Sequence, residues 1–182
     1  MKKFWFTAFL VLGLSVSQFA VSAAENTWPT KLDEVLSQSQ VMIEIERNDI
    51  GSFENLGVQL LIQTIIVRIP NTDPVMGLVF LINDNDKFYS CYIDFDEITP
   101  LCDVVKRFGE INLQSGTSIN EKDYIYRTKS GLYIHFMPKT SLSLSLPRGG
   151  YFVLMDHSEI RALEGYLDDA YKLLSFIKHL GS

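Results

Sequence analysis

The sequence predicts a single α+β domain, in which three helices pack on a mostly antiparallel sheet. Segments with strand-like patterns follow one another in runs, and the connections between them are short, turn-forming stretches. Such connections join antiparallel neighbours, because parallel strands need a long crossover. We therefore expect a short N-terminal helix, a middle helix and a long C-terminal helix on one sheet, formed by residues 25–182.

Residues 1–24 are predicted to be an export signal that is removed from the mature protein. Lys2 and Lys3 form a short basic start, residues 4–16 are almost wholly apolar, and small residues at 21–24 offer a cleavage site. The apolar run is short for a helix that spans a bilayer, which needs about 20 residues. We therefore expect a periplasmic or secreted protein with no membrane span after signal cleavage.

The charge of the chain argues against two classes of partner. The 182 residues carry a net charge of −6, and the basic residues do not cluster. Proteins that bind nucleic acid or anionic lipid concentrate Lys and Arg on one face. We therefore expect no nucleic-acid partner and no lipid surface, and instead a protein partner in the bacterial envelope.

The first segments after the predicted signal indicate a helix and then a strand. Thr30 and Asp33 have the spacing of a capping box, which starts a helix. Residues 41–46 alternate between apolar and polar side chains, as a half-buried strand does. Residues 48–55 are polar and contain glycine, and we expect a loop there.

Three further strands are predicted before the middle helix. Residues 58–69 are rich in β-branched side chains on both faces, which indicates a central strand covered on both sides. Residues 75–82 form another apolar run, and the Asn/Asp-rich residues 83–86 favour a hairpin turn. Residues 88–95 then lead into the middle helix, and residues 110–120 are expected to be a linker.

In the second half, residues 123–127 and 132–137 are predicted to form a hairpin. Residues 141–146 alternate Ser and Leu, and the flanking prolines favour a strand at or near an edge. Residues 151–155 form a short apolar strand, after which Asp156 and Glu159 have capping spacing. The last helix follows, with an apolar stripe at steps of three and four: Ile160, Leu163, Leu167, Ala170, Leu174 and Ile177.

A strand that leads into a capped helix occurs twice in the chain. Asp94 and Glu97, which open the middle helix, recur as Asp156 and Glu159 before the last one. One interpretation is an internal duplication of a sheet-plus-helix unit. The alternative is that any strand followed by a capped helix shows this local pattern.

Cys91 and Cys102 are the two cysteines of the chain. In an exported protein a single pair of cysteines is typical of a disulfide and not of a reactive site. The sequence therefore predicts a Cys91–Cys102 disulfide.

No catalytic, metal or cofactor site is predicted. His135 and His157 are the candidates for a general base, but Asp156 and Ser158 beside His157 are explained by helix capping. The nucleophile-elbow, zinc-protease and phosphate-loop motifs are missing from the sequence. The acidic residues between Asp84 and Glu97 lack the order of a calcium-binding loop.

The predicted hairpin carries the candidate partner-binding residues Tyr124, Tyr126, Tyr133 and His135. If the two pairs lie on one exposed face, they form an aromatic patch of the kind that anchors a partner. The alternative is a sheet face that a helix covers.

Together these features favour an exported, non-enzymatic binding domain of the bacterial envelope, such as an inhibitor or immunity-type protein that neutralises a toxin or an enzyme. A first alternative is a small periplasmic enzyme, hydrolase-like, that uses His135 or His157. A second is an envelope assembly or chaperone factor that binds by strand addition at residues 141–146. The oligomeric state stays open.

Overall fold

The computed structural model describes residues 29–39, 41–114, 123–137, 141–147 and 149–180. These residues form three helices and eight strands, in the order α1 (Lys31–Leu36), β1 (Glu44–Asn55), β2 (Val58–Arg68), β3 (Val75–Asp84), β4 (Lys87–Asp94), α2 (Phe95–Gln114), β5 (Tyr124–Arg127), β6 (Tyr133–Met137), β7 (Ser141–Ser145), β8 (Tyr151–Leu154) and α3 (His157–Leu180). Within this part of the chain, none of the helices is long and apolar enough to cross a membrane. The predicted signal at residues 1–24 lies outside the described residues.

The strands form two four-stranded antiparallel sheets, in which each strand pairs with the next one along the chain. Sheet A has the order β1-β2-β3-β4, and sheet B has the order β5-β6-β7-β8. A long helix follows each sheet: α2 comes directly after β4, and α3 comes after β8. The predicted α+β class with antiparallel strands and three helices is confirmed, although the strands divide into two sheets.

One hydrophobic core joins the inner faces of both sheets to α2 and α3. The ring of Phe108 on α2 stacks on that of Phe136 in sheet B, with 4.9 Å between centroids. The ring of Tyr166 on α3 lies 5.4 Å from that of Phe53 in sheet A. Each long helix therefore contacts the sheet of the other half of the chain as well as strands of its own half, and the two halves share one core.

A second, smaller core lies on the outer face of sheet A, under α1. Leu32 of α1 is buried there against Ile65 and Val67 of β2. Gly77 on β3 makes this approach possible, because a Cβ atom at that position would lie 2.8 Å from Leu32 Cδ1 and 2.0 Å from the carbonyl oxygen of Ile93. The outer face of sheet A is thus partly covered by a helix.

The end of β4 is joined to the start of α1 by hydrogen bonds to Asp94. Thr30 and Asp33 form the predicted capping box at the start of α1. The Asp94 carboxylate, at the end of β4, accepts hydrogen bonds from the backbone N–H groups of Lys31 at 2.9 Å and Leu32 at 3.3 Å. Asp94 therefore holds α1 against sheet A.

The two halves of the chain repeat the same element order, a four-stranded meander followed by a long helix. Positions that correspond in the sequence repeat also correspond in burial. The pairs Ile98 and Ile160, Leu101 and Leu163, Val105 and Leu167, and Phe108 and Ala170 are all buried in the core. This is the arrangement that a duplication would produce.

Residues 48–55 form the second part of β1, so the loop predicted there is wrong. β1 is an edge strand with one exposed face, and few of its residues need to be apolar. The register shifts between Asp49 and Gly51, which marks a bulge. A Cβ atom at Gly51 would lie 2.3 Å from the ring of Tyr166, so the glycine makes room for α3.

β7 is the second strand from the edge of sheet B, paired to β6 on one side and to β8 on the other, which agrees with the predicted position at or near an edge. One further boundary differs from the prediction. α2 continues to Gln114, through the first residues of the predicted linker, and residues 115–120 lie outside the described residues.

We expect Leu167→Ala to destabilise the domain by about 2–5 kcal/mol, because the substitution removes buried apolar surface and leaves a cavity. Leu167 is completely buried on α3, as the predicted stripe requires. Asp169→Ala on the exposed side of the same helix should change the free energy of unfolding by less than about 0.5 kcal/mol. Urea unfolding curves of both variants measure these values, and equal, small effects would contradict the packing of α3.

Candidate functional site

The hairpin of β5 and β6 separates the four predicted partner-binding residues onto two faces of sheet B. Tyr124 stands opposite Phe136, and Tyr126 stands opposite Ile134. Residues directly opposite each other in an antiparallel pair point to the same side. Because Phe136 and Ile134 belong to the core, Tyr124 and Tyr126 lie on the inner face.

The inner pair packs against α2 and the core. The ring of Tyr124 lies 6.2 Å from that of Phe108 and 6.3 Å from that of Phe136. Burial raises the pKa of the Tyr126 phenol, and the negative charge of Glu97 adds to this effect. The predicted single patch is therefore not formed, because the turn that joins Arg127 to Tyr133 sets a register that alternation within one strand does not reveal.

Tyr133 and His135 lie on the outer face of sheet B, with 6.5 Å between their ring centroids. Two rows of neighbouring residues cross this face from β5 to β8: Ile125, His135, Ser143 and Val153; and Arg127, Tyr133, Ser145 and Tyr151. The most exposed of its apolar side chains are Ile125, at 60 %, and Tyr151, at 55 %. We refer to these eight residues as the outer face of sheet B.

No described helix covers the outer face of sheet B. The long helices pack into the common core, and α1 packs on sheet A. In β7 the leucines are buried in the core and the serines point outward, as the alternation predicts. The Ser/Leu alternation of β7 is the sequence pattern that indicates which side of sheet B faces outward. No comparable pattern in the sequence marks Ile125 and Tyr151 as exposed.

His135 has a carboxylate partner but no nucleophile. Its Nε2 lies 3.2 Å from Asp123 Oδ2, and the Asp123 side chain is 59 % exposed. Ser143 stands opposite His135, but its hydroxyl donates to the backbone oxygen of His135 at 3.4 Å instead of to the imidazole. A catalytic triad needs the histidine held between its acid and its nucleophile. This pair lies on an open sheet face and suits a surface contact.

His157 begins α3, and its neighbours cap that helix as predicted. Asp156 Oδ1 accepts hydrogen bonds from the Glu159 N–H at 2.9 Å and from the Ser158 hydroxyl at 2.6 Å. The Glu159 carboxylate in turn accepts from the Met155 N–H and from the amide of Asn55 in sheet A. Asp156 and Ser158 thus serve the helix N-terminus.

The structure does not contain the predicted disulfide, because Cys91 and Cys102 are both free thiols. Cys91 is buried on the inner side of β4, where its Sγ lies 3.1 Å from the hydroxyl oxygen of Ser130. Cys102 lines a cleft between α2 and α3. The two side chains therefore meet different surroundings, which the spacing of the residues does not reveal.

The cleft between α2 and α3 has a volume of about 640 Å³ and mixes charges of both signs, among them Lys106, Arg161, Asp103 and Glu164. Burial raises the pKa of the Cys102 thiol to about 11, and the nearby carboxylates of Asp168, Asp103 and Glu164 contribute. The thiol is therefore protonated at neutral pH and is a poor nucleophile.

The acidic residues at the junction of β4 and α2 serve structural roles in the part of the chain that the structure describes. Asp94 holds α1, Glu97 accepts a hydrogen bond from the Lys129 N–H at 2.8 Å, and Asp96 forms a 3.2 Å ion pair with the Lys129 ammonium. Among the described residues, no three His, Cys, Asp or Glu side chains are grouped to hold a metal ion.

We expect a brief treatment of the native protein with iodoacetamide at about pH 8 to alkylate Cys102 before Cys91, since the thiolate is the reactive form and Cys102 is the more accessible. Both reactions should be slow and should speed up as the pH rises toward about 11, where the thiols ionise. Peptide mass spectrometry locates the label, with urea-unfolded protein as the control. A mass that shows two bridged sulfurs would contradict the structure.

No family model, curated protein or solved structure matches the chain. What bears on its function is the placement of its own side chains: an outer face on sheet B that the described helices leave open, two free thiols, and the His135–Asp123 pair on that face.

Proposed function

We propose that the protein is an exported, non-enzymatic binding domain of the bacterial envelope, and that it binds a protein partner through the outer face of sheet B. The observation that carries this proposal is the set of large side chains that stay exposed on that face, although the core of the domain is complete without them. Tyr133 and His135 remain candidate contact residues, and Ile125 and Tyr151 join them.

The composition of this face resembles that of a protein interface. Exposed aromatic and aliphatic groups stand beside serine hydroxyls, and Arg127 and the Asp123–His135 pair lie at the edge near β5. Interfaces combine apolar and aromatic groups with polar ones, and tyrosine is enriched among the residues that contribute most to affinity. On this face Ile125 and Tyr151 lie on the two edge strands, and the serines lie between them.

The charge of the chain favours a basic partner. A net charge of −6 creates a negative field that attracts cationic surfaces and speeds their encounter. An inhibitor or immunity-type protein that neutralises a basic toxin or enzyme fits this charge. The rate of association should then fall as the salt concentration rises.

The two alternative functions have less support. Strand addition at residues 141–145 would need an open strand edge, whereas both edges of β7 are already paired. The edge strand β8 has one carbonyl occupied as well, since the Asn55 amide donates to the Val153 oxygen at 2.9 Å. A hydrolase that uses His135 would need a nucleophile, and the hydroxyl of Ser143 is directed elsewhere.

We expect the double variant Ile125→Ser and Tyr151→Ser to lose a partner that the wild-type protein captures from a bacterial envelope extract. Both side chains are exposed, so the substitutions remove contact area with little effect on folding. Immobilised wild-type and variant proteins are compared by mass spectrometry of the bound fraction, and the affinity for the captured partner is then measured directly. A loss of at least about tenfold, equal to 1.4 kcal/mol, is expected.

Leu56→Ser is the matched control for this experiment. Leu56 is 92 % exposed in the turn between β1 and β2, outside the outer face of sheet B. This variant should bind like the wild type. Equal binding by the double variant, or a loss caused by Leu56→Ser alone, would place the interface elsewhere.

A further inference from the structure

Two buried carboxyl groups lie where the first half of the chain meets the β5–β6 turn. Asp94, at the end of β4, and Glu97, in the first turn of α2, are 5 % and 6 % exposed. Both oxygens of Asp94 accept backbone hydrogen bonds from α1. Only one oxygen of Glu97 is hydrogen-bonded. Its Oε1 accepts from the Lys129 N–H, whereas its Oε2 is buried and has no hydrogen-bond partner among the described residues.

The equivalent residue of the second half shows what Glu97 lacks. Glu159, in the first turn of α3, uses both of its oxygens, one with the Asn55 amide and the other with the Met155 N–H. Each glutamate thus reaches from a helix start toward a hairpin turn of the opposite sheet, Glu97 to Lys129 and Glu159 to Asn55. A buried carboxylate with an unpaired oxygen is costly in its charged form and less so when protonated.

The charged groups around Glu97 act in both directions, and burial decides the result. Asp94 on β4 and Asp96 on α2 are like charges, and the phenol of Tyr126 on β5 and the thiol of Cys91 on β4 bring no positive charge. Lys129 is the cation at this place, and its ammonium pairs with the exposed Asp96 at 3.2 Å. Burial is the largest influence and raises the pKa of Glu97; the N–H group and the charge of Lys129 lower it, and Asp94 and Asp96 raise it to a smaller extent.

We propose that Glu97 is a proton-sensitive latch, which holds the β5–β6 turn to the start of α2 more tightly in acid than at neutral pH. Protonation weakens the hydrogen bond from the Lys129 N–H, which favours the carboxylate, but it removes the larger cost of the buried charge. If the outer face of sheet B binds a partner, the latch also controls how firmly the β5–β6 hairpin presents Ile125 and Tyr133. This last consequence rests on the proposed function, whereas the latch itself does not.

The sign of the effect follows from linkage. A carboxyl group whose pKa is higher in the folded than in the unfolded state binds more protons when folded, in the pH interval above its ordinary value of 4.5. The folded state therefore loses stability as the pH rises through this interval. Glu97→Gln keeps the size of the side chain but removes the charge at every pH.

The test compares the urea midpoints of the wild-type protein and the Glu97→Gln variant between about pH 5 and about pH 7.5, because their difference cancels the other titrating groups. We expect the variant to be the more stable at neutral pH, with an advantage that shrinks as the pH falls. Amide exchange at Lys129, corrected for its intrinsic pH dependence, should slow in acid in the wild type and stay constant in the variant. A less stable variant at neutral pH, or a pH-independent difference, refutes the latch.

Glu159→Gln is the matched control, since both oxygens of Glu159 are already hydrogen-bonded. It should gain no stability at neutral pH, and an equal gain would mean that any lost negative charge stabilises the protein. If Glu97→Gln does not fold, a carbon-detected NMR titration of the Glu97 carboxyl in the wild type decides the question. A midpoint above 4.5 supports the latch, and one at or below it overturns the proposal. Neither measurement involves a binding partner, so the latch and the proposed function can fail separately.

Discussion

The sharing of one core by the two halves of the chain is the constraint on which the rest of the structure depends. Each half presents an apolar sheet face and an apolar helix stripe, and the helix packs partly against the other half's sheet. Phe108 on α2 reaches Phe136 in sheet B, and Tyr166 on α3 reaches Phe53 in sheet A. Neither half can therefore bury its apolar surface alone.

The packing of each long helix partly against the other half's sheet also determines the surroundings of the glutamate in its first turn. The start of each long helix lies beside a hairpin turn of the opposite sheet, so a glutamate in the first turn can accept hydrogen bonds from that turn. In the second half the surroundings are partly open, and Glu159 is fully bonded. In the first half Glu97 is buried with one oxygen unpaired among the described residues, and its neighbour Asp94 bonds to α1 instead. The two helix starts therefore differ in how completely their glutamates are hydrogen-bonded.

Local periodicity predicts much of the fold, since caps, stripes and alternation depend on neighbouring residues. The start of α1 at Thr30, the stripe of α3 and the outward serines of β7 are all present in the structure. What the sequence does not predict depends on partners that are distant along the chain. The division into two sheets and the register that separates Tyr124 from Tyr133 depend on which strands pair, and the polar second part of β1 is held by its pairing with β2.

The candidate site shows the same limit, because exposure is a property of the assembled fold. Tyr124 and Tyr133 are alike in sequence, yet one packs against Phe108 and the other lies on the outer face. Cys91 and Cys102 are also close in sequence, but one points to Ser130 and the other to the cleft between α2 and α3. Spacing along the chain leaves these distances undetermined.

The two sheets differ most on their outer faces, and this difference separates the requirements of folding from those of binding. Sheet A carries Ile65 and Val67 on its outer face, and the fold covers them with Leu32. Sheet B carries serines at the centre of its outer face, where Ser143 is itself buried, at 3 % exposure. Ile125 and Tyr151, on the two edge strands of the same sheet, are more than half exposed. Folding does not require these apolar side chains, and contact with a partner would bury them.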